Sequence, residues 1–216
     1  MNTVNVRNKQ LNNGTEQDFS ADFSRAYTKI RLFDQSVRFA KRLEGSVVLD
    51  VGSSTGGFTN FALEKGAKKV VAVEIGSRQM DPRLVADNRV KLYEKTDILN
   101  VFTSKEKAEV NNIVVQQVDF ALMDVSFVSC RNILLHLKSN ILGKGYGIVL
   151  LFKPQFEAQE KDLVNGVIKN SKKRRDIVKN FEQWLLQNRF IIEAKKDSEL
   201  AGSKGNVERF YFLRVT

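Results

Sequence analysis

A chain of 216 residues with 42% apolar content can bury one sizeable core and reads as globular rather than disordered. Lys and Arg number 35 against 25 Asp and Glu, and the net charge of +10 favours a polyanionic partner, nucleic acid first. Cys130 is the only cysteine, so an internal disulfide and a cysteine-based zinc site are excluded, and a reducing, cytoplasmic home fits. The longest apolar run, Ile148 to Phe152, is far short of a membrane span, and the polar N-terminus has no signal-peptide core.

Residues 1–23 are Asn- and Gln-rich with little periodicity and read as an arm preceding one domain over 24–216. From Ser24 to Leu43 apolar residues recur at helical spacing, with Gly45 as the stop. Strands are expected at Val47–Val51, Val70–Val73 and Lys91–Tyr93. Residues 103–117 are polar and charged and read as a surface helix or loop. Phe120–Met123 is the fourth strand, Asn132–Leu142 a helix, and Ile148–Phe152 the fifth strand. Asp176–Asn188 is a helix with Ile177, Phe181, Trp184 and Leu185 on its apolar face. Phe190–Ala194 and Arg209–Val215 close the chain as a hairpin. Strands alternating with helices give an α/β fold, a doubly wound and mostly parallel sheet of seven strands with an antiparallel C-terminal hairpin.

Val47 to Gly76 carries the clearest chemical signal. A β-branched run ends in Asp50-Val51-Gly52, a loop of small residues follows, and a second apolar run stops at Glu74. Such a strand, turn, helix and strand binds an adenosine-containing cofactor. Small residues let backbone N–H groups approach the ligand, and a carboxylate after the second strand accepts ribose hydroxyls. The loop reads D-V-G-S-S-T-G-G-F, with Ser54 where a dinucleotide fingerprint has its middle glycine. An acid at the strand end repels a pyrophosphate but suits a cationic amino group, which favours S-adenosylmethionine over NAD. Asp50, Gly52, Ser53, Ser54, Thr55, Gly56, Gly57, Phe58 and Glu74 are the candidate cofactor contacts. Asp97 joins them as an acceptor for the adenine amino group; a helix cap before Ile98 is the alternative.

Ligands of open α/β sheets lie outside the carboxyl ends of the strands, where Asp50, Asp124 and Lys153 fall. A lysine directly after IVLLF is costly to bury without a partner, and Asp124 is the natural one. Lys172-Lys173-Arg174-Arg175 reads either as a phosphate grip or as a solvated helix start. His136, Trp184 and Cys130 read as structural.

Five segments carry a resemblance: LDVGSSTGGFT (Leu49–Thr59), VAVEIG (Val71–Gly76), MDVSFVS (Met123–Ser129), FKPQFE (Phe152–Glu157) and GNVE (Gly205–Glu208). The chain resembles the catalytic domain of the TlyA-type hemolysin family, whose fold is that of the FtsJ-like ribosomal RNA 2′-O-methyltransferases. The resemblance implies S-adenosylmethionine as cofactor, no metal, and ribosomal RNA or ribosomal subunits as partner. It also implies a Lys-Asp-Lys-Glu catalytic tetrad, which falls on Lys29, Asp124, Lys153 and Glu208. At the first of these the family reads Ser-Arg-Gly-Gly-x-Lys, whereas Ala26 and Tyr27 replace both glycines here. Lys153 is either the base that takes the ribose hydroxyl proton or the charge that stabilises the alkoxide. Asp124 also borders the cofactor. The family usually carries a small RNA-binding domain ahead of the methyltransferase, and the 23 residues before the matching region are too few for it. Three other classes compete: a non-catalytic RNA-binding or ribosome-associated protein, a cytolytic factor, and a methyltransferase for DNA or small molecules. No membrane-spanning pattern supports the second, and the hydroxyl-directed tetrad counts against the third.

Overall fold

Continuous apolar runs form strands when both faces are covered, and four of them here, Val47–Val51, Lys69–Val73, Phe120–Met123 and Gly147–Phe152, lie side by side and parallel in one sheet. The computed structural model describes residues 24–107 and 111–216, and the arm assigned to residues 1–23 lies outside them. In chain order the elements are α1 (Arg25–Val37), β1 (Val47–Val51), α2 (Gly57–Glu64), β2 (Lys69–Val73), α3 (Pro82–Val85), β3 (Val90–Tyr93), β4 (Val101–Phe102), β5 (Ile113–Val114), β6 (Phe120–Met123), α4 (Cys130–His136), β7 (Gly147–Phe152), α5 (Ser171–Gln187), β8 (Phe190–Asp197) and β9 (Arg209–Val215).

The main sheet has seven strands in the order β3-β2-β1-β6-β7-β9-β8. All neighbours are parallel except β9, which runs antiparallel to both β7 and β8. The chain leaves β1 toward β2 and β3 on one side and returns to β6 and β7 on the other. That reversal opens a crevice beyond the carboxyl ends of β1 and β6.

Alternation along the strands sorts the core into two layers. Leu49, Val51, Met123, Leu150 and Phe152 pack with α4 and α5. Val48, Leu122, Val149, Leu151 and Phe210 pack with α1 and α2. Continuing that alternation puts Asp50, Asp124 and Lys153 on the α1–α2 side, at the strand ends.

Local structure departs from the sequence reading in four places. The helix expected over 24–43 stops at Val37, because Arg38 turns left-handed (φ 59°), and Phe39–Arg42 is a separate 3₁₀ turn. The helix expected from Asn132 starts at Cys130 under a Ser129 cap and widens into a π-turn over Leu137–Ile141. The polar stretch 103–117 contains β5, which pairs with β4 outside the main sheet. Helix α5 starts at Ser171, not Asp176, since Asn170 caps it by accepting from the Lys172 and Lys173 backbone N–H groups. The basic run therefore lies inside the helix.

Candidate functional site

The β1 end and the loop after it are shaped by glycine at two places. A side chain at Gly52 (φ 78°) would stand 2.8 Å from the Asp124 carbonyl oxygen, so glycine lets the ends of β1 and β6 close up. A side chain at Gly57 would stand 2.3 Å from Ser24 Oγ and 2.8 Å from the Tyr27 nitrogen, so glycine lets α1 lie on α2. Tyr27 itself is buried and donates to Glu64.

Beyond the strand ends lies a cavity of about 610 Å³ lined by Gly52, Ser54, Glu74, Gly76, Asp97 and Asp124, among others. Both Glu74 oxygens accept backbone N–H groups, from Ser54 at 2.9 Å and from Gly76 at 2.7 Å. The carboxylate is thereby fixed at the cavity wall with lone pairs left for a further donor. Asp97 caps the turn Ile98–Asn100 by accepting from the Leu99 nitrogen at 3.0 Å, as the alternative reading expects, and it also lines the cavity. Ser53 is buried, Thr55 is exposed, Gly56 abuts Leu84 and Met80, and Phe58 packs in the core against Phe210.

Asp50 is fully buried and accepts from Thr59 Oγ1 at 2.6 Å. Burial pushes its carboxyl up to about 7; the Thr59 hydrogen bond lowers it, and the Asp124 and Glu74 charges raise it further. Asp50 Oδ1 and Ser53 Oγ are buried with no hydrogen-bond partner among the described residues. A buried carboxylate oxygen with negative neighbours is a site for a cationic donor. The cavity's carboxylates and the unpartnered Asp50 oxygen fit the hydroxyl and amino groups of S-adenosylmethionine.

There are two buried or half-buried ion pairs, the first bordering the cavity through Asp124. Lys153 Nζ is 2.7 Å from Asp124 Oδ1, a charge contact outside hydrogen-bond geometry, and donates its hydrogen bond to Ser126 Oγ at 2.6 Å. Lys29 Nζ donates to Glu208 Oε2 at 2.6 Å, with side chains only 9% and 4% exposed. Lys29 comes from α1 and Glu208 from the residue before β9. Phe152 pairs with Arg209, so the next step of that ladder sets Lys153 beside Glu208. The four residues read from the sequence thus form two ion pairs, one at the carboxyl ends of β6 and β7 and one between α1 and the residue before β9.

Sequence reasoning missed three participants. Ser126 orients Lys153. Phe127 is 89% exposed, has a left-handed backbone (φ 64°), lines the cavity and packs on Phe156. Glu157 accepts from the Cys130 nitrogen and from Arg131. An apolar residue held outward at positive φ is the only local signal, and it shows only once the backbone is known. His136 bonds the Val101 carbonyl and Asn140, and no cluster of metal-ligating side chains exists among the described residues.

A doubly wound sheet with an acid-lined cavity at its switch point defines an S-adenosylmethionine-dependent methyltransferase. Residues 23–215 match the family described as FtsJ-like methyltransferase, and the chain belongs to that family. It is 32% identical over 213 residues to the 23S rRNA (cytidine-2′-O)-methyltransferase TlyA of Campylobacter jejuni, covering 97% of this chain and 78% of that protein. It is 33% identical to a protein of Bacillus subtilis named rRNA methyltransferase YqxC, covering 79% of this chain and 58% of that one. The crystal structure of a hemolysin-named protein from Lactococcus lactis superposes with a TM-score of 0.79 at 30% identity, over 89% of this chain and 88% of that one. No helix among the described residues is long and apolar enough to cross a membrane.

Proposed function

We propose that this protein methylates a ribose 2′-hydroxyl of ribosomal RNA, with Lys29, Asp124, Lys153 and Glu208 around the reacting sugar. The observation that carries the reading is two ion pairs, Lys153 with Asp124, one of the acids lining the cavity, and Lys29 with Glu208 next to the start of β9. The family names of the relatives support the substrate, and the +10 charge supports a polyanion. Ribosomes place such an enzyme in the cytoplasm.

When bound, S-adenosylmethionine supplies a methyl group on a sulfonium centre. A ribose hydroxyl is a poor nucleophile, so the protein's task is to position it and to stabilise negative charge as its proton leaves. The hydroxyl proton passes either to the Lys153 amine or, with Lys153 charged and held by Asp124 and Ser126, to solvent water while the cation stabilises the alkoxide. Glu208 holds Lys29 as a second cation against the sugar. Asp50 pairs with the amino end of the cofactor and Glu74 with its ribose. Phe127 offers a flat apolar face to a base drawn out of its stack.

The test is transfer of labelled methyl from S-adenosylmethionine to purified ribosomal subunits, followed by nucleoside mass spectrometry. Wild-type protein is expected to yield a 2′-O-methylated nucleoside, and Lys153→Ala to lose about 10²-fold or more of the rate with cofactor binding retained. A methylated base in place of a ribose, or a fully active Lys153→Ala, rejects the proposal.

A further inference from the structure

Between β7 and α5 the chain makes an excursion whose tip is a tight turn. Val164 and Val167 exchange backbone hydrogen bonds at 2.9 and 3.0 Å, with Asn165 and Gly166 both left-handed at the centre. Asn206, from the connection between β8 and β9, ties this turn down. Its Nδ2 donates to the Gly166 carbonyl at 2.9 Å and its Oδ1 accepts from the Ile168 nitrogen at 3.1 Å. Arg174 of α5 closes the third side, donating to the Val207 carbonyl at 3.0 Å and to Asp197 at 2.8 Å. Asn206 and Val207 directly precede Glu208, so the shelf formed by these three segments is continuous with the Lys29–Glu208 pair.

The shelf is rich in cations. Lys173 and Arg174 are paired with Asp162 and Asp197. Lys169, Lys172, Arg175 and Lys204 are exposed and have no carboxylate partner among the described residues. Arg175 reaches only Ser171 Oγ, and Lys204 Nζ lies against Gly166. The placement opposes the fold's own interest. The first turn of α5 carries no acid, whereas a helix start is stabilised by negative charge and weakened by positive charge. Cations kept on a rigid surface where the helix gains nothing from them are a mark of function. The first amides of α5 are already taken by Asn170, so a ligand meets the side chains and not the helix end.

We propose that this shelf is a track for RNA phosphates, gripping the strand that flanks the nucleotide at the tetrad. Rigidity suits a repeating backbone, and four unneutralised cations match successive phosphates. The proposal rests on the RNA reading above.

The test measures binding of a fluorescein-labelled RNA stem-loop to the full chain by anisotropy across a salt series. One variant combines K169Q, K172Q, R175Q and K204Q. A control combines K41Q, K68Q, K91Q and K144Q, which removes the same charge from exposed sites away from the shelf. The shelf variant is expected to bind at least about tenfold more weakly, with the salt dependence shallower by about three phosphate contacts, while the control keeps most of its affinity. Calorimetry should show unchanged S-adenosylmethionine binding in both. Equal loss in the two variants, or none in the shelf variant, overturns the track but leaves the RNA reading standing. A wild-type protein that ignores the RNA overturns both.

Discussion

Glu157 reaches across 27 residues of sequence to the start of α4, where its Oε1 accepts the Cys130 backbone N–H at 3.0 Å. Its other oxygen accepts from Arg131 Nε at 3.1 Å. The Arg131 guanidinium in turn lies over the rings of Phe181 and Trp184, 5.7 and 5.2 Å from their centroids. One side chain, 7% exposed, therefore joins the segment after Asp124, the segment after Lys153 and helix α5. The Lys153–Asp124 pair is held between the two segments that Glu157 clamps.

Glu157→Ala leaves the Cys130 N–H and the Arg131 charge without their acceptor, at a cost of about 1–3 kcal/mol. Glu157→Gln keeps an acceptor for the amide and is expected to lose less. Urea unfolding gives both values. Because the clamp ties the segment after Lys153 to the segment after Asp124, the methyl-transfer rate should fall further than cofactor affinity in Glu157→Ala. Equal falls would mean that the clamp supports the fold alone.

Burial pushes the Cys130 thiol well above its ordinary range, and the Glu157 carboxylate adds to the effect. Only the thiolate reacts with disulfide reagents, so the thiol is expected to be inert in the native protein at about pH 8. Denaturant should expose it to rapid labelling. Native labelling at the speed of a free thiol would contradict the packing of α4 on Glu157.

Asp50 gives a pH signature. In the unfolded chain it ionises near 3.8, in the folded protein near 7, with burial the main cause. Between those values the folded state keeps a proton that the unfolded chain has lost. Its contribution to stability is therefore complete below 3.8 and is lost as pH rises through 7. Asp50→Asn should be more stable than wild type at about pH 8. A cationic amino group beside Oδ1 reverses the preference for the neutral acid, so S-adenosylmethionine should bind more tightly as pH rises toward 7, by up to about tenfold per unit. Calorimetric titrations of wild type and Asp50→Asn test this, with the variant expected to bind weakly and with a flatter pH profile. An equally steep profile in the variant would assign the proton to another group.

Much of this was readable from local sequence, and the reasons are physical. Runs such as VVLDV and IVLLF are buried on both sheet faces, so their composition announces them. Asp50, Asp124 and Lys153 stand out because charge directly follows such runs. The β4–β5 pair escaped notice because two-residue strands carry no period. The true start of α5 was hidden because lysine and arginine cover apolar surface with their stems while reading as polar. The Glu157 clamp depends on contacts distant in sequence, which leave no local pattern. The Arg38 break is local, with Asp34 accepting the Arg38 N–H through its carbonyl and the Ala40 N–H through its side chain.

The buried pair Lys29–Glu208 separates structural from chemical roles. Its side chains are 9% and 4% exposed, so removing either partner strands a charge in the interior. Lys29→Met or Glu208→Leu alone should cost about 3–5 kcal/mol. Replacing both, as Lys29→Met with Glu208→Leu, removes the two desolvation penalties together and should recover most of that stability. Urea unfolding of the two single variants and the double variant measures the recovery. Methyl transfer should not recover with it. If the two residues face the reacting sugar, the double variant stays down by about 10²-fold in rate while cofactor binding remains near normal. A double variant that regains both stability and activity would show that the pair only staples α1 to the start of β9, and would reduce the chemistry to Lys153 and Asp124.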